Sequence, residues 1–398
     1  MHCVTRPIVA NVPLVTRTVR TATLLGLAAV LAACGGPAHR GTPSTTPSSS
    51  TASSTTTTAA GPAGGPVPAG FVPQSFTAVS DSTYWVLGTA PCAAGTCPTL
   101  VRTTDGGASF VSIPAPSLSP SAGQQATVRF ADSRDGFVFV SDGPSPSFFT
   151  THDGGASWHA QSLGDVLSFA AGAGTAFVVT GQCGGSGCSN DTLRRSPVGS
   201  DTWSSGPLPF TPDGPNVDLE AHGTSLWLLG TPTSANSPHG GVLARSSDGG
   251  RTFTVGQSPC VPGLGGHLAA TSATNLWALC PTGTEAGAWR STDGGVTFTG
   301  LRTPPLNNSA VIAPASADVA VLSPNDSTGA LLRTTDGGAT WAPVDEAGAK
   351  FWVWIGFTDG QVGAAVVQTG SQSEGGALPS ALWRTTDAGA HWSVVHFS

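Results

Sequence analysis

The chain has 398 residues, of which only 10% are charged, and it carries 53 Gly and 32 Pro but a single Met. Turn-forming residues at this frequency, set between hydrophobic runs, are typical of many short strands and argue against a helical protein. With 16 basic against 23 acidic residues, the chain lacks the basic face that nucleic-acid binding needs, so we expect no nucleic-acid partner.

Residues 1–33 have the features of an export signal. Three arginines precede the apolar run TATLLGLAAVLAAC, which is too short to span a membrane. The run ends in LAACG, which resembles the lipobox of bacterial lipoproteins. The resemblance implies that Cys34 becomes the first mature residue and carries lipid, so that the lipid alone anchors the protein on the outer side of a bacterial cell membrane. An ordinary cleavage site with an incidental cysteine is the alternative.

Residues 34–70 consist mainly of Ser, Thr, Pro, Ala and Gly, with almost no large apolar side chain. This composition buries too little surface to offset the entropy of ordering, so we predict a disordered tether. A flexible coil of this length places a domain roughly 3 nm from its anchor. Residues 71–398 then form the predicted folded domain.

Six cysteines follow Cys34, and an even number in an exported chain predicts disulfides. The segments CAAGTC and CGGSGC share one spacing, so local pairing is economical and leaves the last two cysteines for each other. The predicted pairs are Cys92–Cys97, Cys183–Cys188 and Cys260–Cys280. Zinc binding by the short pairs is the alternative, but an oxidising compartment disfavours free thiolates. We therefore predict no metal and no cofactor.

A short motif recurs along the folded domain. It reads RTTDGGASF at its first occurrence and returns with Asp-to-Asp spacings of 48, 95, 45, 43 and 51 residues. The spacing of 95 spans two periods, and a damaged copy from Arg194 to Trp203, RRSPVGSDTW, fills the gap. The recurring aspartates are Asp105, Asp153, Asp248, Asp293, Asp336 and Asp387. The domain therefore holds seven repeats, with a period typical of solenoids and propellers.

Each repeat contains short hydrophobic segments in the same order. In the first repeat they are QSFTAVS, TYWVLGT, the LVR that enters the motif and the SFVSI that leaves it. Short segments rich in Val, Leu, Phe and Trp and bounded by Gly or Asp are typical of buried strands. Four strands in each of seven repeats predict an all-β fold, a single seven-bladed β-propeller of four-stranded antiparallel blades.

The motif Ser/Thr-x-Asp-x-Gly-x-Thr/Ser-Trp/Phe resembles the Asp box, or BNR repeat, of sialidases, some glucan-cleaving glycosidases, sortilin-type receptors and photosystem II assembly factors. The resemblance implies a propeller in which the box is the turn between the third and fourth strands of a blade, and it implies no activity. The aspartate is expected to accept backbone hydrogen bonds from two or three residues on, and the final aromatic residue to pack inward. Six equivalent aspartates favour a structural role, with weak metal contact as the alternative.

Signs of an active site are weak. The sialidase resemblance would require an Arg-Ile-Pro stretch, which the sequence lacks, and a tyrosine nucleophile, whereas Tyr84 is the only tyrosine and is predicted to pack. We therefore assign no catalytic residue. Asp218 and Glu220 are two residues apart and would share one face of a strand. The candidate acids outside the boxes are Asp81, Asp132, Asp135, Asp165, Asp218, Glu220, Asp318 and Asp359.

Two further patterns concern packing. The arginine three residues before most of the recurring aspartates is expected to be solvated or to pack on its own turn. Strict alternation in KFWVWIGF predicts that Trp352 and Trp354 face one neighbouring blade, with a stacking platform for sugar as the alternative. The residues expected to face the other blade are Phe351, Val353, Ile355 and Phe357.

These features predict a lipid-anchored, exported, monomeric propeller that binds or scaffolds a protein or glycan of the cell envelope without catalysing a reaction. The expected binding surface is the face opposite the boxes, where disulfide-closed loops would be preorganised, although plain loop stabilisation is the alternative. The competing class is a glycoside hydrolase of the Asp-box type, sialidase-like or glucan-cleaving, with an unrecognised carboxylate pair.

Overall fold

The structure, a computed structural model, describes residues 64–397 apart from positions 94, 119–124, 142–146, 185–186, 213, 215, 233–240, 345–350 and 369–378. The predicted signal peptide, the lipidation site Cys34 and nearly all of the tether lie outside the described residues. In the described part of the chain, no helix is present that could cross a membrane.

Seven antiparallel sheets follow one another along the chain, each built from four consecutive strands. Blade 1 holds β1 (Val72–Ala78), β2 (Tyr84–Cys92), β3 (Gly95–Thr103) and β4 (Val111–Ile113). Blade 2 holds β5 (Ala126–Phe130), β6 (Gly136–Val140), β7 (Phe148–Thr151) and β8 (His159–Gln161). Blade 3 holds β9 (Asp165–Gly172), β10 (Thr175–Gly184), β11 (Gly187–Pro197) and β12 (Ser204–Pro207). Blade 4 holds β13 (Asp218–His222), β14 (Ser225–Gly230), β15 (Val242–Ser246) and β16 (Thr254–Gln257).

Blade 5 holds β17 (His267–Ala270), β18 (Leu276–Pro281), β19 (Glu285–Ser291) and β20 (Thr299–Gly300), and the short β21 (Leu306–Asn307) also pairs with β19. Blade 6 holds β22 (Val311–Pro314), β23 (Ala320–Ser323), β24 (Leu331–Thr334) and β25 (Ala342–Val344). Blade 7 holds β26 (Phe351–Phe357), β27 (Gly363–Gln368), β28 (Ser380–Thr385) and β29 (Ser393–Val394). The seven blades form a β-propeller, which confirms the predicted fold.

The hydrophobic core is divided among the seams, the contact layers between neighbouring blades. Each of the seven core clusters draws its residues from two adjacent blades. Second strands such as β6, with the sequence GFVFV, are buried along their whole length, because both faces of a blade are covered by its neighbours. This explains why these segments are continuous hydrophobic runs in the sequence and not alternating ones.

The ring closes between blades 7 and 1 without exchanging a strand. Side chains of both blades share one cluster, with Phe76 from blade 1 and Trp354 from blade 7. The C-terminal Phe397 places its ring 4.9 Å from Phe71 and 4.8 Å from Phe110. Packing of the chain ends therefore supplies the closure that a shared strand would otherwise provide.

Because the strands of each blade are antiparallel, the connections between them alternate between the two ends of the ring. The turns between first and second strands and between third and fourth strands lie at one end, which we call the box face. The connections between second and third strands and the links from blade to blade lie at the other end, the loop face. The first strands of neighbouring blades contact one another in five of the seven pairs, and the first strands line the centre of the ring.

Strand β26 departs from the predicted alternation. A β-bulge shifts its register between Trp352 and Trp354, so that Val353 is an extra residue and the following side chains exchange faces. The side chains packed against blade 6 are Trp352, Ile355 and Phe357. Those packed against blade 1 are Phe351, Val353 and Trp354. The predicted division of this segment is therefore wrong, and both indoles are buried in the core, where they cannot stack on a sugar.

Candidate functional site

The recurring segments, which we call boxes, run from the Ser or Thr two residues before the aspartate to the aromatic residue five after it. In the first box the hydroxyl of Thr103 donates to Asp105 Oδ1 over 2.7 Å, and Ser109 donates its N–H to the same oxygen over 3.0 Å. The Ser109 hydroxyl donates to Asp105 Oδ2. All six boxes show a backbone donor four residues after the aspartate. In two boxes the N–H three residues on, that of Arg251 or Val296, donates as expected, and in all six the carboxylate also reaches the fourth residue.

The aromatic residue of each box packs into the seam with the preceding blade. Phe110 and Trp392 are buried, and the others are partly buried against their seam clusters. The expected inward packing is therefore confirmed. Since both oxygens of the box aspartate already accept hydrogen bonds, a cation at this position would have to displace hydroxyl and N–H donors.

The boxes should resist mild acid. The Thr340 hydroxyl, with the Thr340 N–H and the Thr334 hydroxyl, lowers the pKa of Asp336 to about 2. A lowered folded-state pKa means that the carboxylate stabilises the fold above the ordinary pKa of about 4 and loses this effect as the pH falls towards 2. The thermal midpoint of Asp336→Asn should therefore lie below that of the parent at pH 7, and the gap should close between about pH 4 and pH 2.

Circular dichroism melts at several pH values measure this gap. Glu285→Gln, which changes an exposed carboxylate on the loop face, is the matched control and should show no gap at any pH. A gap for Asp336→Asn that persists undiminished at pH 2 would contradict the structural role of the box carboxylate.

The arginine before the box reaches into the next blade. Arg290 donates from Nη1 to the Gly337 carbonyl over 3.3 Å and from Nη2 to Asp318 over 3.0 Å. Arg333 donates from Nε to the Ala388 carbonyl over 2.8 Å. These arginines are neither free in solvent nor confined to their own turn, so the expectation is wrong for them. The recurrence of arginine at this position was the only signal in the sequence.

Six of the seven seams carry this kind of contact in the described part of the chain, and we call it a seam clip. A side chain of the second or third strand of one blade donates to a main-chain carbonyl one or two residues after the box aspartate of the following blade. The donors are Trp85, Arg195, Trp227, Arg290, Arg333 and Arg384, and the acceptors, in the same order, are the carbonyls of Gly154, Gly250, Gly294, Gly337, Ala388 and Gly106.

The wall of the central channel uses side chains to satisfy free strand edges. The first strand of each blade has an unpaired inner edge, and its N–H groups need acceptors. Asp218 Oδ2 accepts from the Leu268 N–H over 2.7 Å, and Glu220 Oε1 accepts from the Ala270 N–H over 2.9 Å. Ser75, Thr77 and Ser168 accept in the same way from the neighbouring strand. The carboxylates of Asp218 and Glu220 thus link blade 4 to blade 5.

Burial decides what this carboxylate pair can do. Asp218 is 7% exposed and Glu220 is 2% exposed, so a polysaccharide cannot reach them. Burial raises the pKa of Glu220 well above its ordinary value, which favours the protonated form. Arg129 donates from Nη1 to the Val128 and Phe76 carbonyls, and burial lowers its pKa to about 10, so it stays charged. The channel wall is therefore a structural polar layer.

The other candidate acids are dispersed around the ring. Asp165 accepts from the Cys183 N–H over 2.7 Å on the loop face, whereas Asp318 pairs with Arg290 on the box face. Asp81 and Asp359 share a hydrogen bond across the seam between blades 7 and 1, and burial together with Asp359 raises the pKa of Asp81. Asp132 and Asp135 lie on the turn between β5 and β6.

Tyr84 has the packing role that the sequence predicts. It is 1% exposed, and its ring centre lies 5.1 Å from that of Phe76 and 5.8 Å from that of Phe110. Burial raises its pKa to about 12, which makes the phenol a poor nucleophile. In the described residues, no group of three or more His, Cys, Asp or Glu side chains is arranged to hold a metal ion.

The three disulfides of the described residues lie on the loop face, with the pairing that the spacing predicts. Cys92–Cys97 closes the hairpin of β2 and β3, and Cys183–Cys188 closes that of β10 and β11. Strands β10 and β11 hold 10 and 11 residues, against 6 and 5 in β14 and β15, so this hairpin projects from the loop face. Cys260–Cys280 is buried and ties the link before blade 5 to β18.

The buried disulfide should contribute more stability than the projecting ones. Cys260–Cys280 closes 20 residues of chain and Cys183–Cys188 closes 5, so loop entropy alone predicts losses of about 3 and about 2 kcal/mol when each is removed. Replacing Cys260 and Cys280 by Ala also removes buried contacts, which widens the difference. Urea unfolding of the two double-Ala variants measures it, and equal losses would contradict this ranking.

No protein-family model matches the chain, and no curated protein matches it in sequence. Among solved structures it is similar to U3-55K, with a TM-score of 0.51 and 10% identity over 80% of this chain and 96% of that chain. A puromycin-hydrolysing peptidase of Mycobacterium tuberculosis gives a TM-score of 0.50 with 11% identity, over 84% of this chain and 56% of that one. YCF48 bound to a D1 peptide gives 0.49 with 16% identity, over 80% and 93%. Identities this low speak for the fold alone, and by that fold the chain is a seven-bladed β-propeller.

Proposed function

We propose that the chain is an exported, lipid-anchored, monomeric Asp-box propeller of a bacterial cell envelope, which binds a protein or a glycan on its loop face and catalyses no reaction. The observation that carries this proposal is the pair of disulfide-closed hairpins on the loop face, β2–β3 of blade 1 and β10–β11 of blade 3. They flank blade 2 on the same end of the ring.

The projecting hairpin of blade 3 offers polar recognition groups in a fixed arrangement. Its exposed side chains include Gln182, Ser189 and Asn190, and the Asn190 amide donates to Gln182 over 2.8 Å. Amide and hydroxyl groups recognise peptide backbones and sugar hydroxyls through hydrogen bonds. The disulfide below them lowers the entropy lost when a partner orders the hairpin.

The carboxylates favour binding over hydrolysis. A glycoside hydrolase needs two accessible carboxyl groups on either side of the bond that it cleaves. Here Asp218 and Glu220 are buried, and each accepts a backbone hydrogen bond from blade 5. Their position supports a role in joining blades, so the hydrolase is the weaker proposal.

Binding is tested with the purified full-length chain on a glycan array and on an array of envelope-protein peptides. We expect retention of a defined ligand class, and loss of that retention in Asn190→Ala and in the double variant Cys183→Ala/Cys188→Ala. Val296→Ser changes an exposed side chain on the box face and is the matched control. Release of reducing sugar that Glu220→Gln abolishes would favour the hydrolase instead.

The anchor is tested separately by metabolic labelling with a palmitate analogue in a bacterial host. Cys34→Ser should abolish both labelling and retention in the membrane fraction. Labelling that persists in Cys34→Ser would overturn the proposed lipidation site without touching the binding proposal.

A further inference from the structure

The seam between blades 2 and 3 differs from the six seams that carry a seam clip. Blade 3 has the damaged repeat, which lacks the box aspartate, and its turn is held by the Ser196 hydroxyl donating to the Ser200 carbonyl over 2.7 Å. The side chain found between the two box-face turns at this seam is His152. It stands directly before the box aspartate of blade 2.

His152 contacts carboxylates with both of its ring nitrogens. Nδ1 lies 2.7 Å from Asp135 Oδ1 on the turn between β5 and β6, and Nε2 lies 3.3 Å from Asp201 Oδ1 on the turn between β11 and β12. The first contact lies within blade 2 and the second crosses the seam. The same position in the other boxes holds a hydroxyl residue: Thr104, Ser247, Thr292, Thr335 and Thr386.

We propose that His152 is a pH-sensitive latch between blades 2 and 3, closed when both ring nitrogens carry a proton. A neutral imidazole has one N–H and one lone pair, so it can donate to only one of the two carboxylates. Its other nitrogen, which carries only a lone pair, would then face a carboxylate oxygen, and two acceptors form no hydrogen bond. The imidazolium donates to both at once, and the bridge across the seam therefore requires the charged ring.

The surrounding charges support the closed state at mildly acidic pH. The charged groups on the turns around the ring are Asp132, Arg134 and Asp135 from blade 2, Asp201 from blade 3 and Asp153 in its own box, so acids outnumber bases. Partial burial lowers the pKa of His152, but the hydrogen bonds and charges of Asp135 and Asp201 outweigh it and raise the pKa above the ordinary value. Burial and Asp132 raise the pKa of Asp135.

The sign of the effect follows from these directions. A histidine whose folded-state pKa is raised stabilises the fold fully below the ordinary pKa of about 6.5 and loses this effect as the pH rises through its folded value. At lower pH, protonation of Asp135 weakens the bridge that His152 forms between Asp135 and Asp201. The latch is thus closed in mild acid and opens as the pH rises through the folded-state pKa of His152, which lies above the ordinary value.

Opening should loosen this seam without unfolding the ring. Aromatic side chains of both blades fill the seam below the latch, with the rings of Phe137 and Phe169 4.9 Å apart and those of Phe148 and Phe169 6.0 Å apart. The box-face turns on either side would then exchange their amide protons faster. Among the seams described, this is the one whose box-face contact depends on a side chain that titrates near neutral pH.

Hydrogen exchange of the full-length chain, read by mass spectrometry between pH 5.5 and pH 8.5 and corrected for intrinsic rates, tests the latch. We expect the protection of the β5–β6 and β11–β12 turns to fall several-fold as the pH rises in the parent and to stay constant in His152→Thr. That variant carries the residue found in four other boxes and should fold. His391→Thr is the control, because His391 contacts only its own box aspartate, Asp387, and should behave like the parent.

Thermal midpoints provide a second measurement. The parent should lose about 2 °C more than His152→Thr between pH 6 and pH 8, and Asp201→Asn should reduce the pH dependence in the same way. Exchange at the two turns that does not change with pH in the parent would overturn the latch. The same pH response in His152→Thr and the parent would also overturn it.

Discussion

Trp85→Ala should lower the free energy of unfolding by about 4 kcal/mol, the largest effect that we expect from a single truncation in the ring. The Trp85 side chain is fully buried. Its ring stacks on Phe130 of the next blade with centres 3.8 Å apart and planes 4° apart, and its Nε1 donates to the Gly154 carbonyl over 3.4 Å. One residue therefore supplies both the core contact and the seam clip between blades 1 and 2.

Urea unfolding of graded variants separates these two contributions. Trp85→Phe keeps an aromatic ring against Phe130 and loses the hydrogen bond, so it should cost roughly half as much. Trp158→Ala is the matched control, because Trp158 packs in the same seam cluster but is only partly buried. If Trp85→Ala cost no more than Trp158→Ala, the seam would not depend on the contacts that we describe.

Glu220→Ala should cost about 3 kcal/mol, whereas Glu220→Gln should be tolerated. The Ala variant leaves the buried Ala270 N–H without an acceptor and opens a cavity in the channel wall. The Gln variant retains a side-chain oxygen that can accept this N–H, and it matches the shape of the protonated glutamic acid. If Glu220 acted as a catalytic acid, either substitution would instead abolish the enzymatic activity.

The pH dependence of the Gln variant checks the protonation state of Glu220. Since burial raises the folded-state pKa, the parent loses stability as the pH rises from the ordinary pKa of about 4 towards the folded value. Glu220→Gln is neutral throughout and escapes this loss. The stability of Glu220→Gln relative to the parent should therefore increase as the pH rises above about 4, and a difference that stays constant would contradict the raised pKa of Glu220.

The repeat pattern was sufficient to predict the fold and the disulfides. Seven periods, each with four buried strands, allow few architectures other than a ring of blades, because each blade must cover both of its faces. The spacing of the cysteines identified the pairs for a similar reason, since short hairpins bring Cys92 near Cys97 and Cys183 near Cys188. These predictions depend on local order along the chain.

The sequence did not predict the contacts between different repeats. The arginines before the boxes read as surface residues, and their carbonyl partners lie about one repeat away, as for Arg290 and Gly337. The bulge at Val353 was also invisible, because an extra residue in a strand does not disturb a run in which every side chain is large and apolar. The contact between His152 and Asp201 spans 49 residues. The sequence did not predict it, because Asp201 lies in the damaged copy of the motif, which has lost the box aspartate and with it the alignment to the other copies.

By itself, the sequence determined the number of blades, the four strands in each and the position of every box, because periodic burial and turn chemistry are local properties that repeat. Only the tertiary structure decided that Asp218 and Glu220 serve the strand edge of the next blade and that His152 of blade 2 contacts blade 3 at the seam that has no seam clip among the described residues. The reason is physical: a ring places the same face of every blade against a different neighbour, and the chemistry of each seam depends on two repeats at once.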